Sequence, residues 1–344
     1  MKVHILYPFV DGPWGGANQF LKAIREYFIE QGCYEEELEN ADVILFNSSP
    51  NSLVALLPQI YRLKQKFPNK LFVNRIDGPV FYIRDRNRYI DKAFYLFNES
   101  VCEGTIFQSN WSREKNYHLG MKKNRFEVTV LNAPNPNIFN INHKKPFAFN
   151  RKIKLIATSW SNNLKKGFDV YKWMDEHLDF SKYEMVFIGN SPYDFQNIEI
   201  KEPMKSSDLA MALQDSDIII TASQSDPCSN ALIEAIHCGL PAIGLDDGGH
   251  TEIIGRGGEV FREVQEIPQL LEKISMDYEA YQKNIELPNI HTVGKLYLDF
   301  CHKISMEIQK SKYFTFISYL KIKAYIFIWR VNEKMYAFKN RFLK

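Results

Sequence analysis

One stretch, Thr221 to Gly258, limits what this chain can fold into more than any other: TASQSDPCSNALIEAIHCGLPAIGLDDGGHTEIIGRGG. The β-branched run Ile218-Ile219-Ile220 reads as a buried strand and leads into the loop Ser223 to Cys228. Ser229 or Asn230 then caps a helix from Ala231 to His237, Gly239 supplies its stop, and Pro241 stands just beyond. A second apolar run, Pro241 to Leu245, follows at once. The pattern is strand-helix-strand, which belongs in a parallel sheet with helices on its faces.

The start of that helix has chemical consequences. Unpaired N–H groups and the helix dipole favour an anion there, and phosphate is the natural guest. Asp226 lies on the loop before the helix and Glu234 inside it, eight residues later, so a bound group meets a carboxylate on either side. Carboxylates beside a phosphate-binding turn suit sugar and ribose hydroxyls, which donate hydrogen bonds to them.

At 344 residues and 45% hydrophobic, the chain is long enough for two domains of about 150 residues. Its net charge of +2 carries no global signal for a polyanion, so nucleic acid is not an expected partner. The cysteines Cys33, Cys102, Cys228, Cys238 and Cys301 are scattered, without zinc spacing, and read as reduced thiols of a cytoplasmic protein. Met1 to Pro8 reads as a first strand rather than a signal peptide, and no run approaches the ~20 apolar residues of a membrane span.

Along the chain, a glycine-rich turn with Gly15-Gly16 separates the first strand from an amphipathic helix ending near Glu30. Strand-like runs at 43–46, 71–73, 105–107 and 128–131 alternate with helical stretches at 53–66, 86–97 and 111–119, the pattern of a parallel sheet. Ligands in such sheets sit beyond the carboxyl ends of strands, which singles out Asp77 in Arg75-Ile76-Asp77-Gly78-Pro79. A turn-forming Asp-Gly-Pro is the competing reading. Residues 132–150, rich in Asn and Pro, read as a linker. Beyond it, a strand at 152–157 leads to a loop carrying Lys165-Lys166-Gly167, and a strand at 184–188 ends in Gly189. Asp215-Ser216-Asp217 precedes its strand rather than following it, and is assigned to helix termination and strand entry.

The segment Asp226-Pro227-Cys228-Ser229-Asn230-Ala231-Leu232-Ile233-Glu234-Ala235, followed by Cys238-Gly239-Leu240-Pro241 and Gly248-Gly249-His250-Thr251-Glu252-Ile253, resembles the acidic-x7-Glu passage of retaining family 4 glycosyltransferases. The match runs in register over roughly thirty-five residues. Two departures stand out: Asp226 replaces the family's glutamate with Cys228-Ser229 in place of Phe-Gly, and the arginine expected ahead of Lys166 is absent.

The resemblance implies the α/β GT-B fold, two Rossmann-like domains facing each other across a cleft with a C-terminal helical tail. The domains implied are 1–145 on the acceptor side and 146–295 binding the nucleotide sugar, then a helix at 296–312 crossing back and a basic aromatic tail at 313–344. It implies transfer of a sugar, with retention of configuration, from a nucleoside diphosphate sugar to a glycan or lipid-linked glycan, in cell-surface polysaccharide synthesis. Asp226, Lys166 and Asp77 become the catalytic set, and Glu234, Ser229, Asn230, Ala231, Gly15, Gly16 and Gly189 the donor-binding set. No cofactor or metal is required where a lysine and helix amides hold the diphosphate. The tail interleaves Phe316, Ile317, Tyr319, Leu320, Phe327 and Trp329 with Lys321, Lys323, Arg330 and Lys334. That composition suits a helix lying on the inner face of the plasma membrane; a helix packed on the protein or a homodimer contact is the alternative. The rival to an enzyme is a catalytically silent nucleotide-sugar-binding or scaffold subunit recruited to the membrane.

Overall fold

A computed structural model of the chain describes residues 1–10, 16–85 and 87–342. In chain order its elements are β1 (Val3–Leu6), α1 (Gly16–Glu30), β2 (Val43–Ser48), α2 (Pro50–Lys66), β3 (Leu71–Ile76), α3 (Val80–Arg84), α4 (Tyr89–Val101), β4 (Gly104–Phe107), α5 (Asn110–His118) and β5 (Phe126–Thr129). There follow β6 (Ile153–Ser159), α6 (Phe168–His177), β7 (Tyr183–Gly189), β8 (Glu199–Lys201), α7 (Ser206–Asp215), β9 (Ile218–Thr221), α8 (Asn230–His237), β10 (Ala242–Leu245), α9 (His250–Ile254) and β11 (Gly258–Phe261). Helices α10 (Ile267–Met276), α11 (Tyr278–Lys283), α12 (Ile290–Glu307) and α13 (Phe316–Phe342) complete the chain. The chain divides into two compact units: Met1–Phe9, Arg25–Val130 and Gly294–Lys344 form the first, Val10–Ile24 and Leu131–Val293 the second.

In the first unit the strands pair in parallel in the order β1-β2-β3-β4-β5, and Tyr34 bridges to Val3 on the other side of β1. The strand order therefore reverses at β1. Helix α2 begins earlier than its apolar period indicates, because Ser49 caps it, accepting from Ser52 N at 3.1 Å, and Pro50 opens the first turn. Helix α4 lies three to four residues beyond the stretch expected from the sequence, and β5 ends at Thr129 rather than reaching Leu131. The core joins Ile44, Phe46, Phe72, Phe94 and Phe97 to Phe314, Ile322 and Ile326 from the end of the chain. Helix α12 packs close enough that a Cβ on Gly104 would meet Ile304 at 2.3 Å, and one on Gly294 would meet Tyr27 at 2.2 Å.

In the second unit the parallel order is β11-β10-β9-β6-β7-β8. Successive residues of its strands face opposite layers: Leu155, Ile218 and Ile220 lie in the core on one side, Ile156 and Ile219 in the core on the other. The all-apolar runs follow from that two-sided burial. The strand order reverses between β6 and β9, and the loops leaving these two strands lie beyond their carboxyl ends, where ligands of such sheets sit. Asp217 anchors the opposite edge, paired with Arg151 at 2.6 Å and accepting from Lys154 N at 2.8 Å. Among the described residues no helix is long and apolar enough to cross a membrane.

Candidate active site

The loops leaving β6 and β9 meet at the reversal point of the second unit. After β6 the chain makes a 3-10 turn, Leu164–Lys166, capped by Asn163 and ended by Gly167 at φ +76°. Gly167 lies against the loop after β9, where a Cβ would stand 2.3 Å from the Ala222 carbonyl oxygen, and Gln224 N donates to Lys165 O at 2.7 Å. A side chain at position 167 would wedge the loops apart. With glycine there, Lys166 Nζ reaches Asp226 Oδ2 at 3.0 Å, although the two residues are sixty positions apart in sequence.

Asp226 is held from several sides. Its Oδ1 accepts from Cys228 N at 3.3 Å and its carbonyl from Gly249 N at 2.9 Å. Gly248, at φ +66°, passes so near that a Cβ would meet the Asp226 carbonyl oxygen at 2.2 Å. Burial by itself would push the Asp226 carboxyl up, but Lys166, His250 and the hydrogen bonds outweigh it and hold the group below the usual carboxylate range. His250 is fully buried, with Nδ1 3.0 Å from the Leu245 carbonyl oxygen, and burial pulls its pKa down while Asp226 pulls the other way. The sequence offers His250 no obvious acid partner. The fold brings Asp226 near enough to act on it through charge, because the Gly248-Gly249 turn folds α9 back against that loop, while Nε2 has no hydrogen-bond partner among the described residues.

Helix α8 begins where the sequence places it. Ser229 caps it, accepting from Leu232 N at 3.4 Å, and the first intrahelical bond runs from Ile233 N to Ser229 O at 3.0 Å. The amides of Asn230 and Ala231 precede that bond and form the positive end of the helix. Asn230 and Glu234 are four residues apart and share a face. The half-buried Glu234 carboxyl carries no ion pair or hydrogen bond among the described residues, and burial raises its pKa to about 8. A desolvated carboxyl without a partner is costly to ionise, and hydroxyl donors from a ligand would remove that cost.

Asn230 is also tied to the rest of the unit. Its Oδ1 accepts from Asn132 Nδ2 at 3.0 Å, and Gly16 lies so close that a Cβ there would meet the Asn230 side chain at 2.0 Å. Asn18 in α1 holds Val10 by two bonds, from Val10 N at 3.1 Å and to Val10 O at 2.9 Å. Gly15 lies outside the described residues. Gly189, at φ +131°, ends β7 where any Cβ would clash with the Ser159 carbonyl oxygen at 1.8 Å, at the same end of the sheet as Lys166.

Of the expected site residues, Lys166, Asp226, Ser229, Asn230, Ala231, Glu234, Gly189 and Gly16 thus belong to one unit. Asp77 belongs to the other. There it follows β3, is paired with the fully buried Arg75 at 3.2 Å, accepts from Gln108 Nε2, and gives its carbonyl to Asn116 Nδ2 at 3.0 Å. Asp77, Gly78, Ile83 and Arg84 line a cavity of about 140 Å³ in that unit. Sequence reasoning overlooked Arg75, which follows Asn74 in a strand whose other residues are apolar, and Asn132, which it placed in the linker. For Arg75 the signal was a charged side chain inside a strand run, which needs a buried partner.

Residues 166–286 match the family model for glycosyl transferases group 1. No curated protein matches the chain. HepE of Anabaena, solved in complex with UDP-glucose, is similar in structure, with a TM-score of 0.62 at 13% identity over 89% of this chain and 98% of its own. So is the sucrose-phosphate synthase of Thermosynechococcus elongatus, with a TM-score of 0.62 at 11% identity over 98% of this chain and 100% of its own. The lipopolysaccharide outer core galactosyltransferase WaaB gives a TM-score of 0.61 at 12% identity over 88% of this chain and 99% of its own. The fold is therefore GT-B, two parallel-sheet α/β domains and a C-terminal helix.

Proposed function

We propose that the chain is a retaining glycosyltransferase that moves a hexose from a nucleoside diphosphate sugar to a glycan or lipid-linked glycan, at the cytoplasmic face of a membrane and in cell-surface polysaccharide synthesis. The observation that carries the reading is the meeting of Lys166 and Asp226 at 3.0 Å beside the start of α8, with Glu234 unpaired among the described residues one turn further on. The glycosyl transferases group 1 match spans all three residues.

The roles follow from the chemistry. Lys166 and the amides of Ser229, Asn230 and Ala231 stabilise the charge that grows on the diphosphate as its oxygen leaves the anomeric carbon with the bonding pair. Glu234 accepts from the ribose hydroxyls, and Asp226 from a hydroxyl of the donor sugar. Gly16 and Gly189 allow close approach of backbone. Asp77, beside the small cavity of the first unit, accepts from a hydroxyl of the acceptor. In this scheme a lysine and helix amides compensate the diphosphate in place of a divalent metal. No enzyme nucleophile is assigned.

The test is incubation with a panel of nucleotide sugars and oligosaccharide or polyprenyl-linked acceptors, reading nucleoside diphosphate release and the anomeric configuration of the product by NMR. One donor turning over to a product of unchanged configuration is expected, in the presence of a chelator as well as without it. Inverted product, or release abolished by chelation, would overturn the corresponding part.

A further inference from the structure

The last helix has two apolar faces, and only one of them is used inside the protein. Phe314, Ile322 and Ile326 are buried against α2 and α4, with Tyr319, Tyr325 and Trp329 packed beside them. Trp329 O accepts from Asn87 Nδ2 at 3.1 Å, and the chain just before α13 is anchored by Lys312 N on the buried Glu103 at 2.9 Å. The inward face is therefore fixed, and so is the direction in which the opposite face points.

At ~100° per residue, Phe316, Leu320, Phe327 and Val331 fall on one outward strip, and Ile317 and Met335 extend it to a width of about 100°. All six are exposed, Phe327 by 67% and Ile317 by 66%. Lys323 and Arg330 run along one margin of this strip and Lys321 and Lys339 along the other, while the helix's acid, Glu333, falls on the inward half. Long cationic side chains at the borders of an apolar strip can reach outward while their stems lie on it. An anionic, planar, apolar-cored surface satisfies both the strip and its margins; a helical partner would leave the flanking cations without acids.

We propose that this outward strip of α13 is a lipid-binding face that lays the first unit on an anionic membrane surface, with the apolar residues at the headgroup boundary and the flanking cations on lipid phosphates. The proposal rests on the membrane-surface part of the function given above and is independent of the donor chemistry. It also assigns opposite jobs to neighbouring aromatics: Trp329 and Tyr319 hold the helix to the protein, whereas Phe316 and Phe327 meet lipid.

The experiment is co-sedimentation of the full-length protein with vesicles of phosphatidylcholine alone and of phosphatidylcholine mixed with phosphatidylglycerol. Binding is expected only to the mixed vesicles and weakens with added salt. Phe327→Glu with Val331→Glu should reduce binding at least tenfold, and Lys323→Glu with Arg330→Glu should do the same, while the melting temperature and donor turnover with a soluble acceptor stay unchanged. Equal binding by wild type and both variants, binding to neutral vesicles alone, or a dimer in sedimentation velocity that Phe327→Glu dissociates would each overturn the proposal. Loss of donor turnover with vesicle binding intact would instead strike the catalytic reading.

Discussion

Lys166 Nζ and the Asp226 carboxylate form an ion pair at 3.0 Å across two loops that leave neighbouring strands at the reversal point of the sheet. In the proposed scheme the two serve different parts of a donor, the diphosphate and the sugar. Without donor they satisfy one another, so a diphosphate competes with Asp226 for the lysine.

That competition separates two substitutions. Lys166→Ala should weaken nucleoside diphosphate binding about 10- to 100-fold, the loss of a charge-assisted contact. Asp226→Asn releases the lysine and should leave nucleoside diphosphate binding unchanged or tighter, while slowing sugar transfer. Isothermal titration alongside turnover assays distinguishes these outcomes; equal loss of binding in both variants would contradict the assignment.

Glu234 gives a pH signature. Burial lifts its pKa from 4.5 to about 8, so the folded protein keeps a proton that the unfolded chain gives up. Its contribution to stability is complete below the unfolded value and is lost as pH rises towards the folded one, by up to about 4 kcal/mol. Glu234→Gln should remove this decline, seen as a flatter melting temperature between pH 5 and 8 on this titration. Ribose hydroxyls donate better to the anion, so nucleotide binding should strengthen over the same range in wild type and not in the variant.

Gly16 tests the approach of α1 to Asn230. An added methyl group would stand 2.0 Å from the Asn230 amide nitrogen and 2.8 Å from its Cβ, so the asparagine must move. Gly16→Ala should cost about 1–3 kcal/mol in chemical denaturation. Pairing it with Asn230→Ala removes the contacts with the amide but keeps the Cβ at 2.8 Å, and should recover part of that cost. Absence of recovery would mean that the methyl group meets something other than Asn230.

The buried Glu103 ties the end of the chain to the first unit. It accepts from Lys64 Nζ at 3.0 Å, Phe72 N at 2.6 Å and Lys312 N at 2.9 Å, and both Lys64 and Glu103 side chains are wholly buried. Lys64→Met strands a buried carboxylate and should destabilise the protein by about 3–5 kcal/mol. Replacing both residues by apolar ones should cost much less. Urea denaturation of the single and double variants measures the difference.

Much of this architecture is legible in the sequence. Ile218-Ile219-Ile220 announced a strand covered on both faces, and Ser229, Gly239 and Pro241 bounded α8 closely, because caps and stops act over a few residues. The pairing of Lys166 with Asp226, and the charge that the same acid exerts on His250, were not legible, since they depend on Gly167 and Gly248 letting distant loops touch. Arg75 stayed hidden inside its strand because its partners Asn47 and Asp77 come from the neighbouring strand and the following loop. The tail left its choice open for a different reason. It is apolar on two faces, and only the packing of Ile322 and Ile326 reveals which one remains outside.

Titration of wild type, Lys166→Ala and Glu234→Ala with the common nucleoside diphosphates bears most directly on the central claim, that these residues form a nucleotide-sugar site. Wild type is expected to bind one of them in a single site, and each variant to bind it at least tenfold more weakly while remaining folded. A wild-type protein that binds none of them, or variants that bind as well as wild type, would contradict it.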